Sequence, residues 1–520
     1  MSLTFKKLVP VIVIGIVGIL LLVPLFHRGF IVTDDGGWMI IRLSAFYQSF
    51  REGQFPVRFL GRLNHSYGYP VSNFLYPGFL YIGSVIHVLG FTFVSAVKII
   101  LGVSLLSGGI WVYLWLKRFF KTTASVFGAL SFMSGPYLLF DIYTRGSVGE
   151  LLAFSAAGMG LYSIEAGHPW LLSLAVALLI LAHNSLALLC LLFFFGYLMI
   201  RKLMRKQIVW LIFGVGMASF FWMPALYEQK YIVFARSIVS NPLDYFIQYT
   251  NYWLLGISGI VVSGIMLFGR IKHQLLFYML LTGIVCMLMA TSVTSFIWHS
   301  RALSTLFQFP FRLLSVSLFT TAWLTALFID SQKKYVIPIG VAFILLWTIH
   351  LNSIYRGIQY EYQPESFYTS NEATTTVQNE YMPKWVSTPP INRAETRMEI
   401  LKGSGTIHEN SLTTQYMDVV VDAKENSVLQ INMMYYPGWG VTVDGELATI
   451  DYKNDFGVIR VDVPQGQHRV IASFRETISR FIADMCSLVV SVLFVIAVTI
   501  YVKRKKKNVQ KTLRKVKKTA

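Results

Sequence analysis

Acidic side chains are scarce in this 520-residue chain, 26 Asp and Glu against 45 Lys and Arg, and charged residues of both signs make up only 14%. A soluble globular domain carries about a quarter. With 55% hydrophobic residues and a mean hydropathy of +0.56, this shortfall excludes water as the main solvent. Cysteine is nearly missing: Cys190, Cys286 and Cys486 lie far apart inside apolar runs, so neither a structural disulfide nor a zinc site is expected. The chain has no sustained heptads and no fixed repeat period, which excludes coiled coils and solenoids. It also has no Walker or GxGxxG phosphate loop between strand and helix, which argues against a nucleotide-binding fold.

What the chain has instead is a series of apolar runs long enough to cross a hydrocarbon core as helix. The net charge of +19 is divided among short basic clusters between those runs and the tail Lys503-Arg504-Lys505-Lys506-Lys507. This is positive-inside topology rather than a nucleic-acid surface, and no nucleic acid is expected as a partner. The first run, residues 8–26, follows Lys6 and Lys7 without a cleavage site and reads as a retained anchor with the N-terminus inside. Further spans are expected at 94–116, 122–140, 148–165, a tight hairpin at 170–181 and 185–200, then 209–226, 253–268, 275–291, 313–329, 335–350 and 481–502. Each basic cluster then falls on the cytoplasmic side. The expected fold is a polytopic α-helical membrane protein of about twelve spans, with both termini cytoplasmic and a small extracytoplasmic β-sandwich.

The organisation that follows is a membrane module at 1–350 with a first outer loop at 29–93, an outer mixed/β domain at 351–479, a last span at 480–502 and a basic tail at 503–520. In the first loop, Met39, Leu43, Phe46 and Phe50 share one helical face while Arg42, Gln48, Arg51 and Glu52 decorate the others, which predicts an interfacial helix along the outer leaflet. In the outer domain, alternating β-branched runs are punctuated by Asp444-Gly445 and Pro464-Gln465-Gly466 turns. Its first part, 355–399, has less strand character and is expected to pack across the membrane module.

The unusual polar motifs all fall on the outer side of this path. Thr33-Asp34-Asp35-Gly36-Gly37 follows the first run; its carboxylates suit a general base, a divalent-cation site or a cap for the next helix. The segments around His65, Tyr67 and Tyr69 interleave aromatics with Gly and Pro, which suits stacking on sugar rings or plain interfacial anchoring. Arg145 and Glu150 flank a helix start and suit a phosphate and its orienting partner, or an ion pair. His183 and Asn184 sit at the hairpin tip, and Glu228 and Arg312 at two other outer ends. Charges at the rims of spans are costly unless paired, so their convergence on one face points to a shared polar site.

The ordered set Asp34-Asp35, Gly53-x-x-Pro56-x-Arg58, Tyr67-Gly68-Tyr69-Pro70, Phe74-x-Tyr76-Pro77, Arg145-Gly146-Ser147-x-x-Glu150, Ala182-His183-Asn184, Pro224-Ala225-x-x-Glu228, Phe309-Pro310-x-Arg312 and Glu380-Tyr381-Met382-Pro383 covers most of the chain. It resembles a bacterial membrane-protein family labelled as related to pyruvoyl-tetrahydropterin synthase, overlapping the YfhO-like proteins. Tyr435-Tyr436-Pro437-Gly438-Trp439 with Val443-Asp444-Gly445 looks like the outer β-domain of the latter. Phe59 after Arg58 and Gly78 after Pro77 depart from the pattern. No histidine cluster supports pterin chemistry. The resemblance implies a GT-C glycosyltransferase architecture and a polyprenyl-phosphate sugar donor, with Asp34 or Asp35 catalytic. Taken with the residue reading above, it leads to Arg58, His65, Tyr67, Tyr69, Arg145, Glu150, His183, Asn184, Glu228, Arg312 and Glu380 as expected substrate-binding residues. The acceptor expected is a cell-envelope glycan, lipid or polymer, and membrane lipids are the other partners. Two other classes remain open: a lipid-linked glycan transporter, which would show interrupted helices and mid-membrane charges, and an assembly scaffold, which would tolerate loss of both aspartates.

Overall fold

A computed structural model describes residues 3–235, 242–247, 273–331, 352 and 354–519. The spans expected at 253–268 and 335–350 lie outside these residues. Four described helical stretches have the length and composition to cross a membrane: Phe93–Leu116, Thr122–Arg145, Pro310–Ser331 and Ile478–Lys507. The pair Met204–Met217 and Ser219–Tyr231, bent by 65°, makes a fifth if it is one span. The remaining apolar helices, Leu8–Leu21, Gly78–Val88, Pro169–Ala182, Asn184–Ile200 and Gln274–Met289, are shorter. At 1.5 Å per residue, the 14 residues of Pro169–Ala182 reach about 21 Å, less than a hydrocarbon core of about 30 Å. Length and composition thus give four or five candidate spans among the described residues, and the count of twelve stays an expectation.

The helix expected in the first outer loop runs Gly36–Arg51. It buries Met39, Leu43 and Phe46 as its periodicity requires, while Phe50 stays 37% exposed. Arg42, expected on the polar face, is buried too. Its Nε donates to Thr375 Oγ1 at 2.9 Å and its guanidinium also bonds the Thr375 carbonyl. The reason is tertiary: the segment that carries Thr375 covers what an isolated helix would show to solvent. A second tie joins the same regions, because β1 (Phe30–Ile31) pairs antiparallel with β2 (Tyr360–Glu361).

The β-rich region holds β3 (Met398–Lys402), β4 (Gly405–Leu412), β5 (Tyr416–Ala423), β6 (Ser427–Met434), β7 (Trp439–Val443), β8 (Glu446–Leu447), β9 (Val458–Val463) and β10 (Gly466–Phe474). They form a five-stranded sheet in the order β4-β5-β10-β7-β8 and a three-stranded sheet in the order β3-β6-β9, antiparallel throughout. Alternate residues Met417, Val419 and Val421 of β5 and Leu429, Ile431 and Met433 of β6 are fully buried in one core. That period of two is what a sandwich of two one-faced sheets demands. Asp444 and Gly445 both take positive φ, 51° and 89°, as a tight hairpin between β7 and β8 requires. The same core takes in Phe59, Phe74 and Ile232, so the strands share one apolar interior with residues of the helical part.

Candidate functional site

Three stretches far apart in sequence meet around Glu150. Gly146 sits at φ +65°, and a Cβ there would lie 2.3 Å from Thr33 Oγ1, so only glycine lets the Arg145 backbone lie against the Thr33–Gly36 turn. The contact is held by backbone bonds: the N–H groups of Asp34 and Asp35 donate to the Thr144 and Arg145 carbonyls, each at 2.9 Å. On the other side of the helix Val148–Ala166, a Cβ on Gly149 would fall 2.2 Å from the Tyr76 ring and 2.4 Å from the Ala182 carbonyl. Glycine at that position brings the first-turn residue Glu150 close to the hairpin tip.

Glu150 is fully buried, and its Oε1 collects N–H donors. Arg145 Nη1 lies at 2.5 Å, Arg312 Nε at 3.0 Å and His183 Nε2 at 3.5 Å. Its Oε2 accepts from the Tyr137 hydroxyl at 2.8 Å. His183 Nδ1 accepts the Leu186 N–H at 3.3 Å, which assigns the ring proton to Nε2, facing Glu150. Arg145 also reaches Asp141 Oδ1 at 3.0 Å and, through Nη2, Asp35 Oδ2 at 3.7 Å. Arg312 Nη1 donates to Gln308 Oε1 at 2.5 Å and the Phe307 carbonyl at 3.2 Å. Phe311 lies under Arg145 at 5.3 Å and Phe309 under Arg312 at 4.8 Å, so aromatic faces back both guanidiniums.

Three carboxylates, those of Asp35, Asp141 and Glu150, therefore share two guanidiniums. Asp141 and Glu150 are sealed in, whereas the Asp35 side chain is 34% exposed and makes the longest pair. An anion arriving at Arg145 can displace Asp35 and neither of the others. Asp34 points outward and is exposed. Partial desolvation raises its carboxyl above the ordinary range, the neighbouring charge of Asp35 adds to that rise, and Arg145 opposes it. Neither aspartate caps the helix by its side chain; the Gly36 N–H goes to Thr33 Oγ1 at 3.1 Å.

Of the residues expected at a site, the fold brings together Asp34, Asp35, Arg145, Glu150, His183 and Arg312. It places the others elsewhere. Arg58 is buried in the seam with the last helix, with Nη2 2.7 Å from Asp484, Nε 3.3 Å from Glu476 and Nη1 on the Phe220 carbonyl at 2.7 Å. Glu228 forms a bidentate pair with Arg480, both bonds 2.8 Å, and accepts from Tyr436 and Asn73 at 2.8 and 2.9 Å. His65 gives its N–H to Glu372, the Tyr67 carbonyl takes the Met434 N–H, and the Tyr69 hydroxyl meets Thr375 Oγ1 at 2.7 Å. Asn184 binds the Phe74 carbonyl at 3.1 Å, and Glu380 accepts the Gln378 N–H at 3.1 Å. Tyr137 and Asp141 are new members of the cluster; the i,i+4 spacing of Asp141 and Arg145 is the signal in the sequence that would have found the second. Among the described residues, no three His, Cys, Asp or Glu side chains gather as a metal-ligand set.

No protein-family model and no curated protein matches this sequence. Among solved structures, the chain is similar to ArnT from Cupriavidus metallidurans bound to undecaprenyl phosphate, at 16% identity and a TM-score of 0.42, over 71% of this chain and 68% of that one. It is similar to the Archaeoglobus fulgidus oligosaccharyltransferase in the apo form, at 13% identity and 0.41, over 71% and 57%. It is also similar to AglB from the same organism in complex with an inhibitory peptide and a dolichol-phosphate, at 12% identity and 0.38, over 72% and 57%. The chain spans a little over half the length of these oligosaccharyltransferases.

Proposed function

We propose that this chain is a membrane glycosyltransferase of GT-C type that moves a sugar from a polyprenyl-phosphate donor to a cell-envelope acceptor on the outer face. The observation that carries the reading is the displaceable ion pair between Asp35 and Arg145, set beside an exposed carboxylate at Asp34 and backed by Arg312 through Glu150. A lipid-phosphate sugar already has an activated leaving group. It needs a cationic cradle for that group and a base for the acceptor hydroxyl. In this reading Arg145 and Arg312 receive the donor phosphate as Asp35 swings away. Asp34 takes the acceptor proton, the acceptor oxygen bonds the anomeric carbon, and the bond from that carbon to the phosphate oxygen breaks with its electron pair. The negative charge ends on the polyprenyl phosphate, facing the two guanidiniums.

A divalent cation at Asp34 and Asp35 belongs to the same reading. Magnesium is commonly held by one or two carboxylates with water and substrate phosphate completing the shell, so the pair meets that requirement without a third protein ligand. A lipid-linked glycan transporter is the second reading, favoured by the 65° break between Met217 and Ser219, since interrupted helices mark transporter sites. The buried charges of the Glu150 cluster lie on other segments, which favours chemistry over passage. The test uses the purified protein in proteoliposomes with radiolabelled polyprenyl-phosphate sugars and envelope extract. Transfer should release free polyprenyl phosphate in step with labelled acceptor, whereas movement of intact donor across the bilayer without release would reject the enzyme reading.

A further inference from the structure

A groove lies at the other end of the helix Gly36–Arg51, where the loop after that helix, the β4–β5 turn and the entry to the last helix come together. It encloses about 390 Å³ and is lined by Gln54, Phe55, Tyr416, Phe474, Arg475 and Glu476, among others. The helix that separates it from Asp35 has 16 residues, hence a length of about 24 Å. A headgroup in the groove is therefore remote from the Asp35–Arg145 pair, and the groove is a separate site.

Its chemistry is ordered from apolar to charged. Phe55, 71% exposed, belongs to the lining, and the first turn of the last helix, with Ile478 at 81% and Phe481 at 57%, follows Glu476 in the chain. Arg475 and Glu476, consecutive in the chain, both line the groove. Among the described residues the Arg475 side chain is held through Nε, which donates to Ser473 Oγ at 3.1 Å, and its two terminal nitrogens point no hydrogen bond to another described residue. Glu476 Oε1 holds Arg58 at 3.3 Å, leaving Oε2 as an acceptor. The floor is rigid: Gln54 Nε2 donates to Gln415 Oε1 at 2.7 Å, and Gln415 Nε2 to the Glu52 carbonyl at 2.8 Å. A preformed groove with a cation and an anion adjacent, beside an exposed apolar wall, complements a lipid headgroup that carries both charges.

We infer that this groove binds the phosphoethanolamine headgroup of a membrane phospholipid, phosphate on Arg475 and ammonium on Glu476, with its chains along Phe55, Ile478 and Phe481. A purely anionic headgroup would set a second negative charge against Glu476. A choline headgroup lacks the N–H to donate to Oε2. The test is lipid retention by the full-length protein, purified in mild detergent and mixed with equal amounts of chain-matched phosphatidylethanolamine, phosphatidylcholine and phosphatidylglycerol, then counted by native mass spectrometry. Phosphatidylethanolamine should be retained first. Arg475→Gln should lower its occupancy about tenfold, the loss of one charge-assisted contact. Phe55→Ser should weaken all three lipids alike. Arg475 is exposed, so its variant should keep the parental melting temperature, which separates binding from folding. Equal retention of phosphatidylglycerol by the parent protein, or parental retention by Arg475→Gln, overturns the assignment.

Discussion

The Thr33 hydroxyl accepts the Gly36 N–H at 3.1 Å, and by taking the cap of the first outer helix it releases both neighbouring carboxylates from that task. Capping and chemistry can therefore be separated by mutation. Thr33→Ala should lower stability by about 1 kcal/mol, the usual worth of a side-chain cap, with modest loss of transfer. Asp34→Asn should leave the melting temperature unchanged and cut turnover by about 10²- to 10⁴-fold, the ordinary cost of losing a general base. Thermal unfolding and product formation measured on the same preparations check both. Parental turnover in Asp34→Asn would remove this residue from the mechanism.

Asp35 makes a different prediction, because in the proposed mechanism it competes with the donor for Arg145. Replacing it with Asn keeps the shape and removes the rival charge, so with divalent cations chelated Asp35→Asn should bind the donor more tightly than the parent. Equilibrium binding of a non-transferable polyprenyl-phosphate sugar analogue measures this directly. Weaker binding in the variant would mean that Asp35 positions the donor rather than yielding to it.

The pH profile follows from the same pair. A base acts when deprotonated, and the Asp34 carboxyl lies above the ordinary carboxylate range, so transfer should rise with pH through that raised value and fall away below it. Desolvation is the first cause of the rise and the Asp35 charge the second. Asp35→Asn removes the second cause alone, and the acid limb of kcat/KM should shift to lower pH without vanishing. An unmoved limb would assign it to another group.

Much of this cluster was legible because charges and a histidine at the ends of apolar runs are conspicuous: Asp34, Asp35, Arg145, Glu150, His183 and Arg312 all stand out against their surroundings. The sandwich was legible too, from the period of two in β5 and β6 and the Asp444-Gly445 turn. What a linear pattern cannot reveal is which segment covers which. Arg42 falls on the polar face of its own helix, and only the fold brings Thr375, 333 residues on, across that face. Glu228 looks like a lone rim charge until Arg480, 252 residues away, is placed against it. Asp141 escaped notice at the end of an apolar run, where a buried acid has meaning only beside Arg145.

Arg312 tests the phosphate cradle. Lysine would keep the charge but lose the planar fork that bonds Glu150 and Gln308 together while facing an anion. Arg312→Lys should raise the donor KM and lower kcat, with acceptor KM little changed. Steady-state kinetics with each substrate varied in turn would show it, and an unchanged donor KM would exclude a phosphate role.

The Glu228–Arg480 pair should behave as a structural clamp. It is almost wholly buried, with side chains 1% and 0% exposed, and it joins the end of the helix Ser219–Glu228 to the last helix beside Tyr436 and Pro437 of the β-rich region. Removing one partner of such a pair leaves the other charge in a low-dielectric seam, a loss of about 3–5 kcal/mol. Glu228→Gln and Arg480→Met should each lower the melting temperature and open the junction near Pro437 to protease. The double variant, with no orphaned charge, should recover part of the loss, because the pair's net worth is smaller than the cost of breaking it. Substrate affinity in whatever folds should stay near parental. If Glu228→Gln instead keeps full stability and raises a KM, Glu228 belongs with the substrate, and the seam is held by its apolar contacts alone.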